Sequence, residues 1–176
     1  MVDVSGHVGM ALLFLAPSWI LFRHTRTAAA FVAVSAPFGL LPDVDLYLSV
    51  LDGIHHHGVF HTILAVSLLA VALGPLVGWV FETILEETGH LDRSVARHGA
   101  PLGVAGVWTA GMSHLFADVL SAPDVSQAIE PLWPLYDGRL LSIDVLWYKS
   151  IWATVGLLAL GIAVNLGLWH WTRVRR

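Results

Sequence analysis

Histidines and aspartates occur at spacings that suit metal binding in three separate stretches of this sequence. The first stretch, Leu41-Pro42-Asp43-Val44-Asp45, carries two carboxylates one residue apart, and they can reach a common point if the backbone turns after Pro42. Carboxylate oxygens bind hard or borderline divalent cations, and imidazole nitrogens shift the preference towards zinc, manganese or iron. The alternative is an Asx turn that caps a following helix.

A histidine cluster follows this pair of carboxylates. His57 and His61 are four residues apart and would share one face of a helix, whereas His56 and His61 could meet across a turn that Gly58 permits. Neutral imidazole is a common metal ligand, although a histidine cluster in a loop is often solvated surface. The sequence leaves open which of His55, His56 and His57 points inward.

The third stretch lies in an apolar segment, where His114 and Asp118 are four residues apart and form a same-face pair on a helix. Inserting an ionisable group into a membrane-spanning segment costs roughly 3 kcal/mol on insertion scales. Such a group is therefore expected to have a function that offsets this cost. The alternatives are a private hydrogen bond that locks two helices, or a carboxylate that only orients the imidazole. His7, at the start of the first apolar segment, is by itself equally well explained as an interfacial histidine.

The elements that must position these residues are membrane helices. The 176 residues are 56% hydrophobic and only 12% charged, with a mean hydropathy of +0.72, whereas a soluble domain carries about 25% charged residues. We therefore predict an all-α, polytopic transmembrane bundle of about five spans that forms one domain over residues 1–176. Pro37 and Pro42 predict that the second segment is short or broken. The apolar segments are Val4–Phe22, Thr27–Leu41, Val59–Phe81, Leu102–Leu120 and Leu146–Trp171.

The distribution of Lys and Arg predicts the orientation of this bundle. With five spans, seven of the nine basic residues fall on one side, which should be cytoplasmic, so the N-terminus lies outside and the C-terminus inside. The candidate site then lies near the outer face, where the loops also carry Asp52, Asp124, Glu130, Asp137 and Asp144. The seven cytoplasmic residues are Arg23, Arg26, Arg93, Arg97, Arg173, Arg175 and Arg176, against Arg139 and Lys149 outside.

Composition and motifs also exclude several classes of function. The formal net charge is −4 and no long basic run is present, which argues against nucleic-acid binding. Cysteine is absent, so thiolate metal sites and a cysteine nucleophile are excluded. The chain has neither a nucleophile-elbow serine nor the His-Glu-x-x-His pattern of metalloproteases.

Taken in order, these motifs resemble those of the membrane-bound metal-dependent hydrolases, a family of small polytopic inner-membrane proteins. The resemblance rests on the early His7, on Leu41-Pro42-Asp43-Val44-Asp45, on a His-Arg-Gly-x-Thr-His-like segment at residues 56–61, and on a Ser-His-x-x-x-Asp helix at residues 113–118 followed by a loop with Pro134. Two positions depart from the family pattern, because His57 replaces an arginine and Phe60 a threonine. The resemblance implies metal ligation by His7, Asp43, Asp45, His56, His61, His114 and Asp118.

The leading hypothesis is a metal-dependent hydrolase that opens to the outer leaflet of the inner membrane. We expect one or two divalent ions, with zinc favoured over manganese or iron, and proton transfer by Asp45, His57 or Asp118. A site at this depth favours an amphiphilic substrate, such as a phospholipid or another lipid-linked phosphoester. The alternatives are a metal-ion or proton carrier, and a structural protein whose loops a metal joins; the oligomeric state stays open.

Overall fold

The computed structural model describes residues 2–48, 50, 56–91, 93–123, 126–141, 144–148 and 150–175. Asp52, His55, Asp124, Lys149 and Arg176 lie outside these ranges. The described chain is helical and contains no named strand, which confirms the all-α prediction. Its helices are α1 (Val4–Leu15), α2 (Ser18–Leu21), α3 (Thr25–Ser35), α4 (Asp45–Leu48), α5 (Ile63–Glu87), α6 (Arg93–Ala96), α7 (Gly99–Val119) and α8 (Leu157–Arg175).

Three helical stretches are long and apolar enough to cross a membrane, namely Val4–Leu21, Ile63–Glu87 and Trp152–Arg175. A fourth is possible if Thr25–Leu40 and Pro42–Leu48, which meet at a bend of 45°, form one broken span. The bundle is polytopic as predicted, with three or four spans where the sequence suggested about five. The broken second segment was also expected, because Pro42 cannot continue the preceding helix.

The difference in span number comes from α7, which has 21 residues but is not among the candidate spans. Its sequence contains four glycines together with His114 and Asp118, so no stretch of it is apolar enough to count among the candidate spans. One face of α7 packs along α5, and other parts contact α1 and the turn Ala36–Leu40. Protein rather than lipid therefore surrounds much of this helix.

Side-chain caps fix two helix starts beside the candidate site. The carboxylate of Asp3 accepts a hydrogen bond from the backbone N–H of Gly6 at 2.9 Å, which begins α1 one turn before His7. Thr62 does the same for α5, since its hydroxyl accepts from the N–H of Ala65 at 3.0 Å. His7 is thus held in the first turn of α1, and His61 directly before the start of α5.

Close packing of α5 against α7 depends on glycine. A Cβ atom on Gly103 would lie 2.0 Å from the carbonyl oxygen of Gly74 and 2.4 Å from the backbone nitrogen of Gly78. Small residues at such crossings allow helix backbones to approach closely in membranes. Because α7 carries two of the candidate ligands, this crossing also sets their distance from the ligands that precede α5.

We expect Gly103→Ala to lower the free energy of unfolding by about 1–3 kcal/mol, since the added methyl group collides with the α5 backbone. Gly167→Ala is the matched control, because nothing lies within 4 Å of a Cβ built there. Thermal unfolding of both variants in detergent measures this difference in stability. Equal midpoints for the two variants would contradict the close crossing.

Candidate metal centre

One end of the bundle collects every site residue that the sequence singled out and that the structure describes. His7 comes from the first turn of α1, the residues preceding α5 supply three histidines, and the last two turns of α7 supply His114 and Asp118. The turn before α4 supplies the carboxylate of Asp43, and the first residue of α4 supplies that of Asp45. The eight residues in this cluster are His7, Asp43, Asp45, His56, His57, His61, His114 and Asp118.

His114 lies at the centre of the cluster and is fully buried. Its Nδ1–H donates a hydrogen bond to the carbonyl oxygen of Gly39 at 2.7 Å, so the Nε2 atom carries the lone pair. That Nε2 lies 3.1 Å from Oδ2 of Asp118, 3.4 Å from Oδ1 of Asp43 and 3.2 Å from Nε2 of His61. Lone pairs therefore face one another, and a cation or an additional proton is needed between them.

Asp45 contacts two of the histidines through their Nδ1 atoms. Its Oδ1 lies 2.8 Å from Nδ1 of His56, and its Oδ2 lies 3.0 Å from Nδ1 of His61. The Nε2 of His61 then points to Asp43 and Asp118, at 3.5 and 3.7 Å, while Nε2 of His56 is buried without a hydrogen-bond partner among the described residues. A carboxylate on Nδ1 is the usual way to orient an imidazole whose other nitrogen binds metal.

His57 has an unusual backbone conformation, with φ at +64°, a left-handed region that a residue with a Cβ rarely occupies. Its Nδ1 contacts the carbonyl oxygen of Gln127 and lies 2.8 Å from the hydroxyl of Ser126. Its Nε2 lies 3.7 Å from Oδ2 of Asp118. Burial lowers the pKa of His57 to about 4, although the charge of Asp118 opposes this shift. A neutral, inward-facing imidazole thus stands where the family pattern has a fixed cation.

His7 joins the cluster from the opposite side of His114. The two imidazole rings stack with their centroids 3.6 Å apart and their planes 8° apart, and Nε2 of His7 lies 3.6 Å from Oδ1 of Asp118. Both ring nitrogens of His7 are buried and make no hydrogen bond within the described chain. Buried nitrogens without partners are costly, and a bound metal ion would satisfy one of them.

Charge balance within the cluster also favours a cation. Three carboxylates are gathered at one point, and the ion-pair partners that the described residues offer them are histidines. Burial lowers the pKa of His61, but the neighbouring carboxylates of Asp43 and Asp45 outweigh this and the net shift is upwards. In the metal-free cluster, protons on the histidines therefore compensate the negative charge of the carboxylates. A divalent ion would displace these protons on binding.

The ligand atoms fall into four overlapping triplets, and within each triplet they lie within 4.8 Å of one another. Asp43, His56, His61 and His114 each belong to two triplets, so the four sets form one continuous site. The donors are mixed nitrogen and oxygen atoms, which suit zinc, manganese or iron. The triplets are His56–His57–His61, His7–His114–Asp118, Asp43–His61–His114 and Asp43–Asp45–His56.

Several functional contacts were beyond the reach of sequence reasoning. The acceptors for His114 and His57 are backbone carbonyls, of Gly39 and Gln127, and a carbonyl group has no signature in the sequence. Asp118 is also approached by the backbone N–H of Val2, whose nitrogen lies 3.4 Å from Oδ1. Only the left-handed turn at His57 had a signal, namely Gly58 within the histidine run.

The comparison with curated proteins and the comparison with solved structures each returned no significant match. The family model described as "YdjM inner membrane protein" matches residues 1–175, nearly the whole chain. The apolar helices and the buried polar cluster at one end agree with a membrane protein of this kind. The chain belongs to the YdjM inner membrane protein family.

Proposed function

We propose that this protein is a metal-dependent hydrolase that cleaves a phosphoester of an amphiphilic substrate near the outer face of the inner membrane. The observation that carries the proposal is the environment of Nε2 of His114, which faces two carboxylate oxygens and a second imidazole nitrogen at 3.1–3.4 Å while its Nδ1–H is used by a backbone carbonyl. A divalent cation at this point would lower the pKa of a water molecule to about 7 and polarise the scissile group.

We assign metal ligation to six side chains whose free atoms face the cluster. Asp45 belongs to one of the ligand triplets, but both of its oxygens face the Nδ1 atoms of His56 and His61. We therefore propose that Asp45 orients these two imidazoles, and that the cluster holds one or two ions. The proposed ligands are His7, Asp43, His56, His61, His114 and Asp118.

His57 is the side chain that we propose for proton transfer. With Nδ1 directed at the carbonyl of Gln127, its Nε2 can accept a proton. His57 also lines a cavity of about 240 Å³, together with Thr62, Glu130 and Trp133. It thus lies between the buried cluster and a space large enough for water and a polar head group, as a general base or acid requires.

A phosphoester is favoured over an amide by the chemistry of the donor set. Clusters of carboxylates and imidazoles that hold two ions are typical of phosphatases and nucleases, where the ions stabilise the attacking and leaving oxygens. The positive-inside distribution of arginine supports placing the cluster at the outer face with the N-terminus outside. In the described chain, α8 runs alongside α1 in the same direction, since Leu157 meets Gly9 and Asn165 donates a hydrogen bond to the carbonyl of Leu12. Its last residues, Arg173 and Arg175, therefore lie at the end away from His7.

The test is metal-dependent turnover by the detergent-purified protein. After chelation and reloading with zinc, manganese or iron, elemental analysis should give one or two ions per chain, and hydrolysis of p-nitrophenyl phosphodiesters should return only in the loaded protein. His170→Ala, which removes an exposed histidine of α8 outside the cluster, should behave as wild type. Stoichiometric metal without turnover of any ester would indicate a structural metal site, and the absence of bound metal would refute the proposal.

A further inference from the structure

An apolar groove runs from the bundle surface to the metal cluster, and the two share one residue. The groove has a volume of about 340 Å³ and lies between the start of α1 and the broken segment that includes α4. Its walls are formed by apolar side chains, and its polar end is Asp43. The wall residues include Val4, Phe38, Leu41, Val44, Leu46 and Tyr47.

Asp43 differs from the other carboxylates of the cluster in its accessibility. Its side chain is 13% exposed, whereas those of Asp45 and Asp118 are 0% exposed. Its Oδ1 also lies 3.5 Å from Nε2 of His61 and 3.4 Å from Nε2 of His114. A molecule lying in the groove would therefore meet the cluster at Asp43.

The position of the groove indicates a lipidic occupant. At its rim, Leu46 is 45% exposed and Tyr47 is 81% exposed, although both are large apolar or amphipathic side chains. Exposed side chains of this kind next to a spanning segment belong in the bilayer interface. The groove is lined by hydrocarbon along its length and has a carboxylate at one end, so it matches an amphiphile rather than a polar metabolite.

We propose that this groove binds one hydrocarbon chain of the substrate and presents its phosphoester to the metal cluster at Asp43. The inference rests on the proposed function, because a carboxylate alone would repel the anionic head group and only a bound cation makes the groove end attractive to it. The cavity beside His57 lies on another side of the cluster and would receive the polar remainder of the molecule.

Chain-length dependence is the kinetic test. We expect kcat/KM of the metal-loaded protein for alkyl p-nitrophenyl phosphodiesters with chains of two to eight carbons to rise roughly fourfold per methylene group until the groove is full. Leu46→Trp narrows the groove from a partly exposed position and should flatten this dependence. Leu166→Trp is the matched control, because Leu166 lines an apolar groove of about 310 Å³ that lacks any cluster residue, so its slope should equal that of wild type.

A second measurement does not require turnover. An alkyl phosphate with a diazirine in its chain should, when the protein is metal-loaded, label the peptide that contains residues 37–47, and chelation or Leu46→Trp should reduce this labelling. If no ester is hydrolysed, the proposed function fails. The labelling then tests by itself whether the groove binds the alkyl chain. A flat chain-length profile in wild type, or labelling spread evenly over the exposed faces of α5 and α8, would overturn the inference.

Discussion

Asp118→Asn is expected to lower metal affinity more than about 100-fold, beyond the 10–100-fold that loss of an outer-shell partner costs. The carboxylate of Asp118 lies within 3.7 Å of the Nε2 atoms of His7, His57, His61 and His114. An asparagine keeps the size of the side chain but removes its charge and one of its two oxygens. Phosphodiester turnover should fall in parallel, because both depend on the same ion.

The effect of Asp118→Asn on stability should be destabilising in both states and larger with metal than without it. At a metal concentration of 1,000 times the dissociation constant, binding stabilises the native chain by about 4 kcal/mol, and a 100-fold weaker site retains only about 1.4 kcal/mol of this. In the chelated protein, Asp118 faces protonated histidines, so the substitution breaks a buried ion pair and should also destabilise the chain, and the loss of metal binding adds to this in the loaded protein. Thermal unfolding with metal and with chelator measures both effects.

The two unfolding experiments also separate a metal site from a structural ion pair. If the contact of Asp118 with His114 served only to lock α7 against its neighbours, Asp118→Asn would destabilise the chelated and the metal-loaded protein equally and leave metal content unchanged. That outcome would contradict the metal centre. His170→Ala, outside the cluster, should change neither unfolding curve.

Much of this site could be predicted because its residues follow rules of local geometry. His114 and Asp118 are one helical turn apart, so a helical α7 must present them on one face. Pro42 ends the second segment and starts a new short helical turn, so Asp43 lies in this turn and Asp45 begins α4, directly after the bend in the chain. The side of the membrane shared by His7, His61 and His114 followed from counting spans, and the structure brings these three residues together.

Which histidines point inward could not be predicted, because the answer depends on one backbone torsion. With His57 in the left-handed region, the chain turns between His56 and His61, so His56, His57 and His61 all reach the cluster. Sequence spacing alone favoured either the pair His57 and His61 or the pair His56 and His61. Acceptors such as the Gly39 carbonyl depend on tertiary packing and leave no trace in residue types.

The environment of α7 within the predicted bundle of about five spans could not be predicted for a related reason. An apolar window does not distinguish a helix that faces lipid from one that faces protein, and α7 is of the second kind. Its glycines were the available signal, since Gly103 meets the α5 backbone where a lipid-facing helix would carry a larger aliphatic side chain. Hydropathy was enough to predict that α7 is a helix. The pattern of small residues was needed to predict that this helix packs against protein.

Asp45→Asn is expected to weaken metal binding by about 10–100-fold without abolishing it, because Asp45 holds two ligands in place. Its oxygens face Nδ1 of His56 at 2.8 Å and Nδ1 of His61 at 3.0 Å. An asparagine offers one acceptor oxygen and one NH₂ group, so it can orient only one of these imidazoles and must repel the N–H of the other. Competition with a chelator of known affinity measures the change.

Saturation with metal distinguishes orientation from ligation at this position. If Asp45 orients His56 and His61, Asp45→Asn should recover a full complement of metal and much of its turnover at high metal concentration, since all six proposed ligands remain. Asp144→Asn is the matched control, because Asp144 is an exposed carboxylate in a loop and belongs to none of the ligand triplets. Failure to reload at any metal concentration, with the fold intact, would show that Asp45 is itself a ligand, as its place in the Leu-Pro-Asp-x-Asp motif first suggested.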